Sequence, residues 1–423
     1  MLKLAPLLSD PLPPGTKGLP QLPPGFTLDR IAGQGWRVLA GDVPLPVALL
    51  KRPAMDRNIA RMQEYLAASG MKLAPHGKTT MCPQLFERQL QAGAWGITVA
   101  NVQQLALCHA IGVQRVLIAN EVLGPAELAA FADMSAEAPD STYHLLLDSV
   151  DGARQLQAAM AARPDAPAAR VLIEVGFPGG RCGVRSLEGG LILADEIRRL
   201  DRLRLVGVEG YEGLLPDPQA VDAYLDNVVG LLTILRADGR FADPDHILLS
   251  AGGSAYFDLV ARLFGGVAAP GIVPILRSGC YITHDDGFYG RLLGDVAARG
   301  EAPGLEPALE VWARVLSRPE PGLLVLSAGK RDLSHDIDLP GLKSWYRPGL
   351  HEAPQPTNGW RIVKLSDQHA HVVAGAPDDA TPLAAGDMVA LGISHPCTTF
   401  DKWRVLLEVD DDYCVTGGLK TFF

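Results

Sequence analysis

Residues 71–81 read MKLAPHGKTTM, and this stretch decides how the rest of the chain is interpreted. Its short apolar run stops at a proline, and His76, Gly77, Lys78 and Thr79 follow before a helical pattern resumes. The pattern predicts a strand that ends in a loop presenting a lysine. A lysine in such a place can also be an ordinary solvated surface charge, so the rest of the chain has to decide between the two interpretations.

Short apolar runs recur along the first 300 residues and alternate with stretches of helical periodicity. The eight runs cover residues 71–74, 97–100, 116–119, 144–147, 171–175, 205–208, 247–250 and 273–276. Each is nearly continuous in apolar character, as a parallel strand buried on both faces should be. Eight such units predict an α/β fold, a (β/α)8 barrel of the TIM type. An open doubly wound sheet is the alternative, disfavoured because no G-x-G-x-x-G follows an early strand.

After about residue 302 the pattern changes to alternating apolar and polar residues, broken by proline and glycine. Strands are predicted there at residues 309–316, 323–327, 360–365, 371–374, 388–392 and 405–409. This indicates a mostly antiparallel C-terminal β domain. The expected division of the chain is a proline-rich N-terminal arm over residues 1–45, a barrel over 46–300 and the β domain over 301–423.

Composition narrows the class of protein. The chain has 423 residues, 48% of them hydrophobic, which is enough for two domains with a large core. A net charge of −10, without a lysine or arginine run, argues against nucleic acid as a partner. The N-terminus fits neither a secretory signal nor a membrane span, because its short apolar run is broken by prolines. The six cysteines show no C-x-x-C pairing, so reduced thiols in a cytoplasmic protein are expected.

Pro75, His76, Gly77, Lys78 and Thr79 resemble the signature of the D-serine dehydratase and D-threonine aldolase family, which belongs to the alanine-racemase-like enzymes of fold type III. The resemblance implies that Lys78 holds pyridoxal 5'-phosphate (PLP) as a Schiff base. A lysine desolvated beside cationic groups suits this role, since its amine must lose a proton to attack an aldehyde. The resemblance also implies a homodimer and an N-terminal arm that joins the β domain.

The loops after the seventh and eighth apolar runs are the expected phosphate site of such a barrel. Small residues after the seventh run let backbone N–H groups approach a phosphate, although such turns are also common connectors. The sequence after the eighth run resembles the family's Arg-x-Gly-x-Tyr, although its tyrosine could simply pack at the barrel rim. By this likeness the phosphate would be held by Ser250, Gly252, Gly253, Ser254, Gly279, Cys280 and Tyr281.

Two further side chains are assigned to the cofactor by the resemblance. Arg181 stands in a glycine-rich loop similar to the one that faces the phenolic oxygen of PLP in fold type III enzymes. Its permanent charge and fixed fork would hold that oxygen as a phenolate, although an arginine there could also cap backbone carbonyls. Tyr211 matches the family's Tyr-x-Gly and would lie near the pyridine ring.

A second centre is predicted at His395 and Cys397. A histidine and a cysteine two residues apart share a face of an extended segment, and imidazole plus thiolate is a zinc combination with positions left open. Alone the pair is weak evidence, because a buried cysteine beside a structural histidine is more frequent. The resemblance makes a metal site the favoured interpretation. D-serine dehydratases bind zinc through His-x-Cys here, whereas D-threonine aldolases usually carry His-x-Asp and use manganese or a similar ion.

The activity implied is a PLP- and zinc-dependent dehydration of D-3-hydroxy amino acids such as D-serine, D-threonine or D-threo-3-hydroxyaspartate, giving a 2-oxo acid and ammonia. Lys78 would act as the base at Cα, and the metal on His395 and Cys397 would stabilise the departing hydroxyl. A metal-dependent D-threonine aldolase uses the same parts and stays an alternative. A non-catalytic PLP-binding protein is a third. Residues 398–403 differ from those of the best-known D-serine dehydratases, which leaves the substrate open.

Overall fold

The computed structural model describes residues 1–267, 269–300, 302–357, 359–374 and 383–423. The chain divides into two units, each compact in itself. The barrel unit comprises Met1–Lys3, Met62–Lys78 and Phe86–Gly279, and the β unit comprises Leu4–Arg61, Thr79–Leu85 and Cys280–Phe423. The units are interleaved along the chain, whereas the sequence predicts contiguous ranges, and the predicted domain limits stay a prediction.

The strands are β1 (Val47–Lys51), β2 (Lys72–Leu73), β3 (Ile97–Val99), β4 (Arg115–Glu121), β5 (Thr142–Leu147), β6 (Ala169–Val175), β7 (Leu203–Gly210), β8 (Ile247–Ala251), β9 (Ile272–Leu276), β10 (Leu309–Glu320), β11 (Leu323–Leu326), β12 (Gly341–Tyr346), β13 (Gln355–Pro356), β14 (Trp360–Leu365), β15 (Ala370–Ala374), β16 (Met388–Gly392), β17 (Val405–Val409) and β18 (Val415–Lys420). The helices are α1 (Ala5–Ser9), α2 (Arg52–Ser69), α3 (Pro83–Gln91), α4 (Val102–Ile111), α5 (Pro125–Glu137), α6 (Val150–Ala162), α7 (Leu187–Arg199), α8 (Pro218–Ala237), α9 (Phe257–Gly266), α10 (Phe288–Arg299) and α11 (Cys397–Phe400).

The barrel unit contains an eight-stranded parallel sheet in the order β2, β9, β8, β7, β6, β5, β4, β3. A parallel bridge between His76 and Thr98 joins its two ends and closes the ring. The side chain of Thr98 strengthens this closure of the sheet, since its Oγ1 donates to the carbonyl oxygen of Ala74 at 2.7 Å. The predicted (β/α)8 barrel is confirmed, and each of the eight apolar runs contains a strand.

The interior of the barrel is filled by apolar side chains. One residue from the end of β2 and one from each of β4 to β9 form a single buried cluster: Ala74, Leu117, Leu146, Leu172, Val206, Leu248 and Ile275. Barrels with such a packed interior have their polar chemistry in the loops at the C-terminal ends of the strands.

Several loops that leave the C-terminal ends of the strands begin the next helix with a polar cap. The side chains of Asn101, Ser149, Ser186 and Asp217 accept hydrogen bonds from backbone N–H groups in the first turns of α4, α6, α7 and α8. Each cap satisfies a donor that the helix itself leaves unpaired. The caps therefore fix where these loops turn.

The β unit contains a ten-stranded sheet in which the N-terminal strand β1 lies between β10 and β17. Only the β1–β17 pair is parallel among the described pairs of this sheet; the others are antiparallel. This confirms the predicted antiparallel C-terminal domain, and all six predicted strands form. No strand is predicted at β1 from the sequence, and its residues fall within the range 46–300 expected for the barrel. Three more strands, β12, β13 and β18, were not predicted, because they are short, polar or rich in glycine.

The proline-rich N-terminal segment contributes to the core of the β unit. Leu12, Leu19 and Phe26 are buried in one apolar cluster with Trp312 and Val405. Apolar residues between the prolines thus anchor a segment that has little regular structure of its own. Within the described residues no helix is both long and apolar enough to pass through a membrane.

Candidate active site

Lys78 lies in a short 3-10 turn, Gly77–Thr79, that follows β2, and its side chain is exposed. The turn depends on Gly77, because a Cβ there would lie 2.7 Å from Cζ of Phe86. That distance is too short for any side chain. The lysine is therefore held at the C-terminal end of a barrel strand, where barrel enzymes have their sites.

His76 lies two residues before this lysine among positive charges. Burial lowers the pKa of its imidazole well below the usual value, and Lys78, Arg277 and Arg181 act in the same direction. Its Nδ1 is buried and has no hydrogen-bond partner in the part of the chain that the structure describes. The ring is therefore neutral near pH 7, and its unsatisfied nitrogen fits a bound polar group such as a cofactor.

Arg181 and Tyr211 are brought together, although they follow different strands. The guanidinium carbon of Arg181 lies 4.5 Å from the centre of the Tyr211 ring, a cation–π contact. The backbone N–H of Tyr211 donates to the hydroxyl of Tyr224 at 2.8 Å, and that hydroxyl donates to the carbonyl oxygen of Val175 at 2.6 Å. Tyr224 thus ties the loop after β7 to the end of β6, a link that sequence reasoning missed.

The glycine turn after β8 donates backbone hydrogen bonds to a carboxylate of the protein itself. The N–H groups of Gly252 and Gly253 donate to the carboxylate of Glu212 at 3.0 and 2.8 Å. Burial raises the pKa of Glu212, whereas these hydrogen bonds act to lower it. Gly252 has a φ of +105°, and a Cβ there would lie 2.3 Å from Leu276. Two backbone donors of the turn are thus engaged by a carboxylate that the sequence did not single out, and the binding of phosphate by this turn stays a prediction.

The remaining residues of the predicted phosphate site lie in both units. Ser250 is fully buried, and its hydroxyl donates to the carbonyl oxygen of Ile275 at 3.2 Å, so it joins two strands. Ser254 is half-buried in the loop after β8, and Gly279 is the last residue of the barrel unit. Cys280 and Tyr281 belong to the β unit, where both are buried in a 3-10 turn. Their binding of phosphate stays a prediction.

Four acidic residues lie at or just after the C-terminal ends of β4 to β7, and sequence analysis assigns no role to any of them. They are Glu121, Asp148, Glu174 and Glu209. Burial raises the pKa of Glu209 to about 8, although Arg277 opposes the shift from 2.6 Å away. Arg277 also donates to the carbonyl oxygen of Gly210 at 2.6 Å. Burial therefore favours the protonated form of Glu209, and Arg277 favours its charged form.

Replacing Glu121 by glutamine is expected to raise the melting temperature at about pH 8 and to change it little at about pH 4. Burial raises the pKa of Glu121 to about 9, helped by the negative charges of Asp148, Glu174 and Glu209. Both of its carboxyl oxygens are buried, and the backbone of Asp148 opposes the shift only in part. The unfolded chain releases this proton near pH 4.3, about the value of a free glutamate, so stability falls as pH rises from there towards about 9.

Thermal unfolding of wild type and Glu121→Gln between about pH 4 and 9 tests this expectation. Glu188→Gln, at an exposed position on α7, is the matched control. A melting-temperature difference between Glu121→Gln and wild type that stays constant over the whole range would contradict the assigned burial effect.

His395 and Cys397 lie in the β unit at the start of α11. The Nδ1 of His395 lies 2.6 Å from a carboxylate oxygen of Asp336, and His395 also hydrogen-bonds to Cys397. Burial opposes a charge on this imidazole, but Cys397 and Asp336 together raise its pKa to about 9. A carboxylate that fixes one ring nitrogen is the usual support for a histidine that binds metal through the other. Asp336 is a further residue that sequence reasoning missed.

The sulfur of Cys397 has two other close neighbours in the β unit. It lies 3.5 Å from the sulfur of Cys280 and 3.5 Å from the hydroxyl of Thr79. The hydrogen bond with Cys280 is the main cause that lowers the pKa of Cys397 well below its usual value; burial opposes this shift and His395 adds to it. The lowered pKa favours the thiolate of Cys397, the form that binds metal.

The donor set fits a soft divalent ion. Within the described ranges, no group of three or more histidine, cysteine, aspartate or glutamate side chains is arranged to hold a metal ion. The pair of thiolate and imidazole that is present suits zinc better than manganese, which prefers oxygen ligands.

Comparisons with known proteins agree with this architecture. Residues 50–273 match the alanine racemase N-terminal domain, and residues 308–409 match the serine dehydratase domain. A D-threonine aldolase of Arthrobacter sp. is 29% identical over 378 residues, covering 87% of this chain and 90% of the relative. A D-threo-3-hydroxyaspartate dehydratase of Delftia sp. (strain HT23) is 28% identical over 371 residues, covering 84% and 91%. The solved structure of D-threonine aldolase from Filomicrobium marinum superposes with a TM-score of 0.72 at 26% identity, covering 90% and 95%.

A closed parallel barrel with a lysine turn after β2, combined with a separate antiparallel sheet, defines a PLP enzyme of fold type III. The chain belongs to the alanine-racemase-like family of these enzymes and carries a D-serine-dehydratase-like domain in its C-terminal part. The resemblance noted in the lysine stretch is thereby confirmed. The relatives are named as aldolases and dehydratases, which are lyases of D-amino acids.

Proposed function

We propose that this protein is a PLP- and zinc-dependent lyase that dehydrates a D-3-hydroxy amino acid to a 2-oxo acid and ammonia. The observation that carries the proposal is the pair of Cys397 and His395, with Asp336 fixing the imidazole. A thiolate in the second position of this pair is the feature that resembles dehydratases rather than aldolases. The relative from Delftia, 28% identical, is named a dehydratase of a D-3-hydroxy amino acid, which supports the same reaction class.

The barrel unit would bind PLP, which when bound supplies an electron sink for the bond broken at the substrate Cα. Lys78 would hold the cofactor and, once released by the substrate, take the Cα proton on its amine. Arg181 would neutralise the phenolic oxygen, and Tyr211, already in contact with Arg181, would lie against the ring. His76 would remain neutral through the reaction because its pKa is held low, so it would offer a hydrogen bond rather than a charge.

The β unit would bind the metal, and zinc when bound supplies a Lewis acid for the departing hydroxyl. His395 and Cys397 would be its protein ligands. Asp336 keeps the imidazole in one orientation from 2.6 Å, and the hydroxyl of Thr79 lies 3.5 Å from the sulfur of Cys397. Such partners fix the direction from which a ligand meets its ion and commonly change affinity by about 10- to 100-fold.

A D-threonine aldolase is the second candidate, and the 29% identical relative with that name is the observation that favours it. The same residues serve both reactions: removal of the Cα proton leads to loss of the β-hydroxyl, whereas removal of the hydroxyl proton leads to cleavage between Cα and Cβ. A non-catalytic PLP-binding protein is less well supported, since the relatives that match over both units are named as enzymes.

Substrate profiling separates these functions. D-serine, D-threonine and D-threo-3-hydroxyaspartate are each incubated with the protein, with and without a chelator, and the L enantiomers serve as controls. From D-threonine the proposal expects 2-oxobutyrate and ammonia, and only in the absence of chelator. Glycine and acetaldehyde would instead identify an aldolase, and no turnover of any of the three would favour a PLP-binding protein.

The proposal includes a homodimer in the cytoplasm. Sedimentation analysis of the holoenzyme tests the first part, and a monomer that keeps full activity would contradict it.

A further inference from the structure

Two cysteines far apart in the sequence meet in the β unit. Cys280 and Cys397 are separated by 117 residues, and their sulfurs lie 3.5 Å apart. Both are described as free cysteines, and Cys280 is 4% exposed. The predicted metal pair of His395 and Cys397 therefore has a second thiol as its direct neighbour.

The distance between the sulfurs suits a shared ion better than a disulfide. Two thiolates on one tetrahedral zinc, each about 2.3 Å from the metal, have sulfurs about 3.8 Å apart. A disulfide requires about 2.05 Å. The observed 3.5 Å differs from the first value by about 0.3 Å, which small side-chain rotations can supply.

The surroundings of Cys280 resemble those of a metal ligand. Besides Cys397, its sulfur has hydrogen bonds to the hydroxyls of Tyr289 and Thr79, the latter at 3.8 Å. Without a metal, the hydrogen bond to Cys397 and burial raise the pKa of the Cys280 thiol. A bound ion would hold it as the thiolate, because a thiol that coordinates zinc is deprotonated.

We propose that Cys280 is a third protein ligand of the metal, which gives a site of two thiolates and one imidazole with a fourth position open to the substrate hydroxyl. This rests on the proposed metal dependence. Because no three such side chains already surround one point among the described residues, the ion itself must draw Cys280 and His395 in around Cys397. Two thiolates would also select zinc over manganese more strongly than one.

Cobalt substitution in the full-length holoenzyme tests the proposal without any measurement of activity. Apoprotein kept under reductant and without oxygen is loaded with Co²⁺, and the near-ultraviolet charge-transfer absorption from thiolate to cobalt is recorded per bound ion. Cys280→Ser is expected to reduce this absorption to about half the wild-type value and to weaken Zn²⁺ binding, measured against a competing chelator, at least about tenfold. Cys414→Ser, a half-buried cysteine elsewhere in the same unit, is the matched control and should match wild type.

Each outcome has a distinct meaning. An unchanged absorption in Cys280→Ser would overturn the assignment of Cys280 while leaving the metal dependence intact. Wild-type protein that shows the PLP absorbance but binds no Co²⁺ would overturn the metal part of the proposed function as well. If Cys280→Ser fails to fold, X-ray absorption spectroscopy of the zinc in wild type decides instead: two sulfur ligands support the proposal and one refutes it.

Discussion

Replacing Lys78 by alanine is expected to lower turnover by at least about 10³-fold and to abolish covalent attachment of the cofactor. The side chain would have two roles, holding PLP and moving the Cα proton. His76 lies in the same loop, but its low pKa makes it a poor base. Lys78 itself lies in a turn that Gly77 and Phe86 fix in place, so the substitution should not disturb the barrel.

The test combines steady-state rates with borohydride reduction and peptide mapping. In wild type the label should appear on the peptide that contains Lys78, and in Lys78→Ala it should be absent. Lys72→Ala is the matched control, because Lys72 is an exposed lysine at the start of the same short strand. A label on any other side chain of the wild type would remove the basis of the proposed function.

Replacing His395 or Cys397 by alanine is expected to abolish turnover while the visible absorbance of bound PLP persists. Each variant would lose a direct ligand of the ion that stabilises the leaving hydroxyl, whereas the predicted cofactor contacts lie on other residues. Metal affinity should fall by well over about 100-fold, more than for loss of a residue that only orients a ligand. Asp336 only orients a ligand. Asp336→Asn should therefore lower metal affinity less, by about 10- to 100-fold, because both ligands stay in place.

Metal content by atomic spectroscopy, the PLP spectrum and product formation are measured on the same preparations. Cys414→Ala, which removes a cysteine outside the centre, should leave all three unchanged. Full activity in both His395→Ala and Cys397→Ala would remove the metal from the mechanism. Loss of PLP absorbance together with activity would instead point to a structural role for the pair.

The fold could be predicted from the sequence because its signals are local. A parallel strand buried on both faces needs a run of apolar residues, and all eight runs became strands of the barrel. The strand β1 was not predicted, although VALLK satisfies the same pattern, and its pairing with β10 and β17 places it in the other sheet. A local pattern predicts that a strand exists and gives no information about its partner.

The candidate site was predictable only where residues follow one another in a motif. The lysine turn, the glycine turn and the His-x-Cys pair are such motifs. The residues that contact these motifs are distant in sequence. Glu212 accepts a hydrogen bond from Gly252, 40 residues away, and Asp336 contacts His395, 59 residues away. Cys280 contacts Cys397 across 117 residues. Nothing in the spacing marks these partners, since an isolated glutamate or cysteine has many possible roles.

The central place of β1 in the β unit limits how the chain can be divided or synthesised. Val47 pairs with Trp312. The central strand of this sheet is therefore translated before the barrel sequence, and its neighbouring strands are translated some 260 residues later. A polypeptide expressed from residue 301 onwards would lack that strand and present β10 and β17 as two bare edges, which are templates for aggregation. The part of the chain that contains His395 and Cys397 is thus no detachable module.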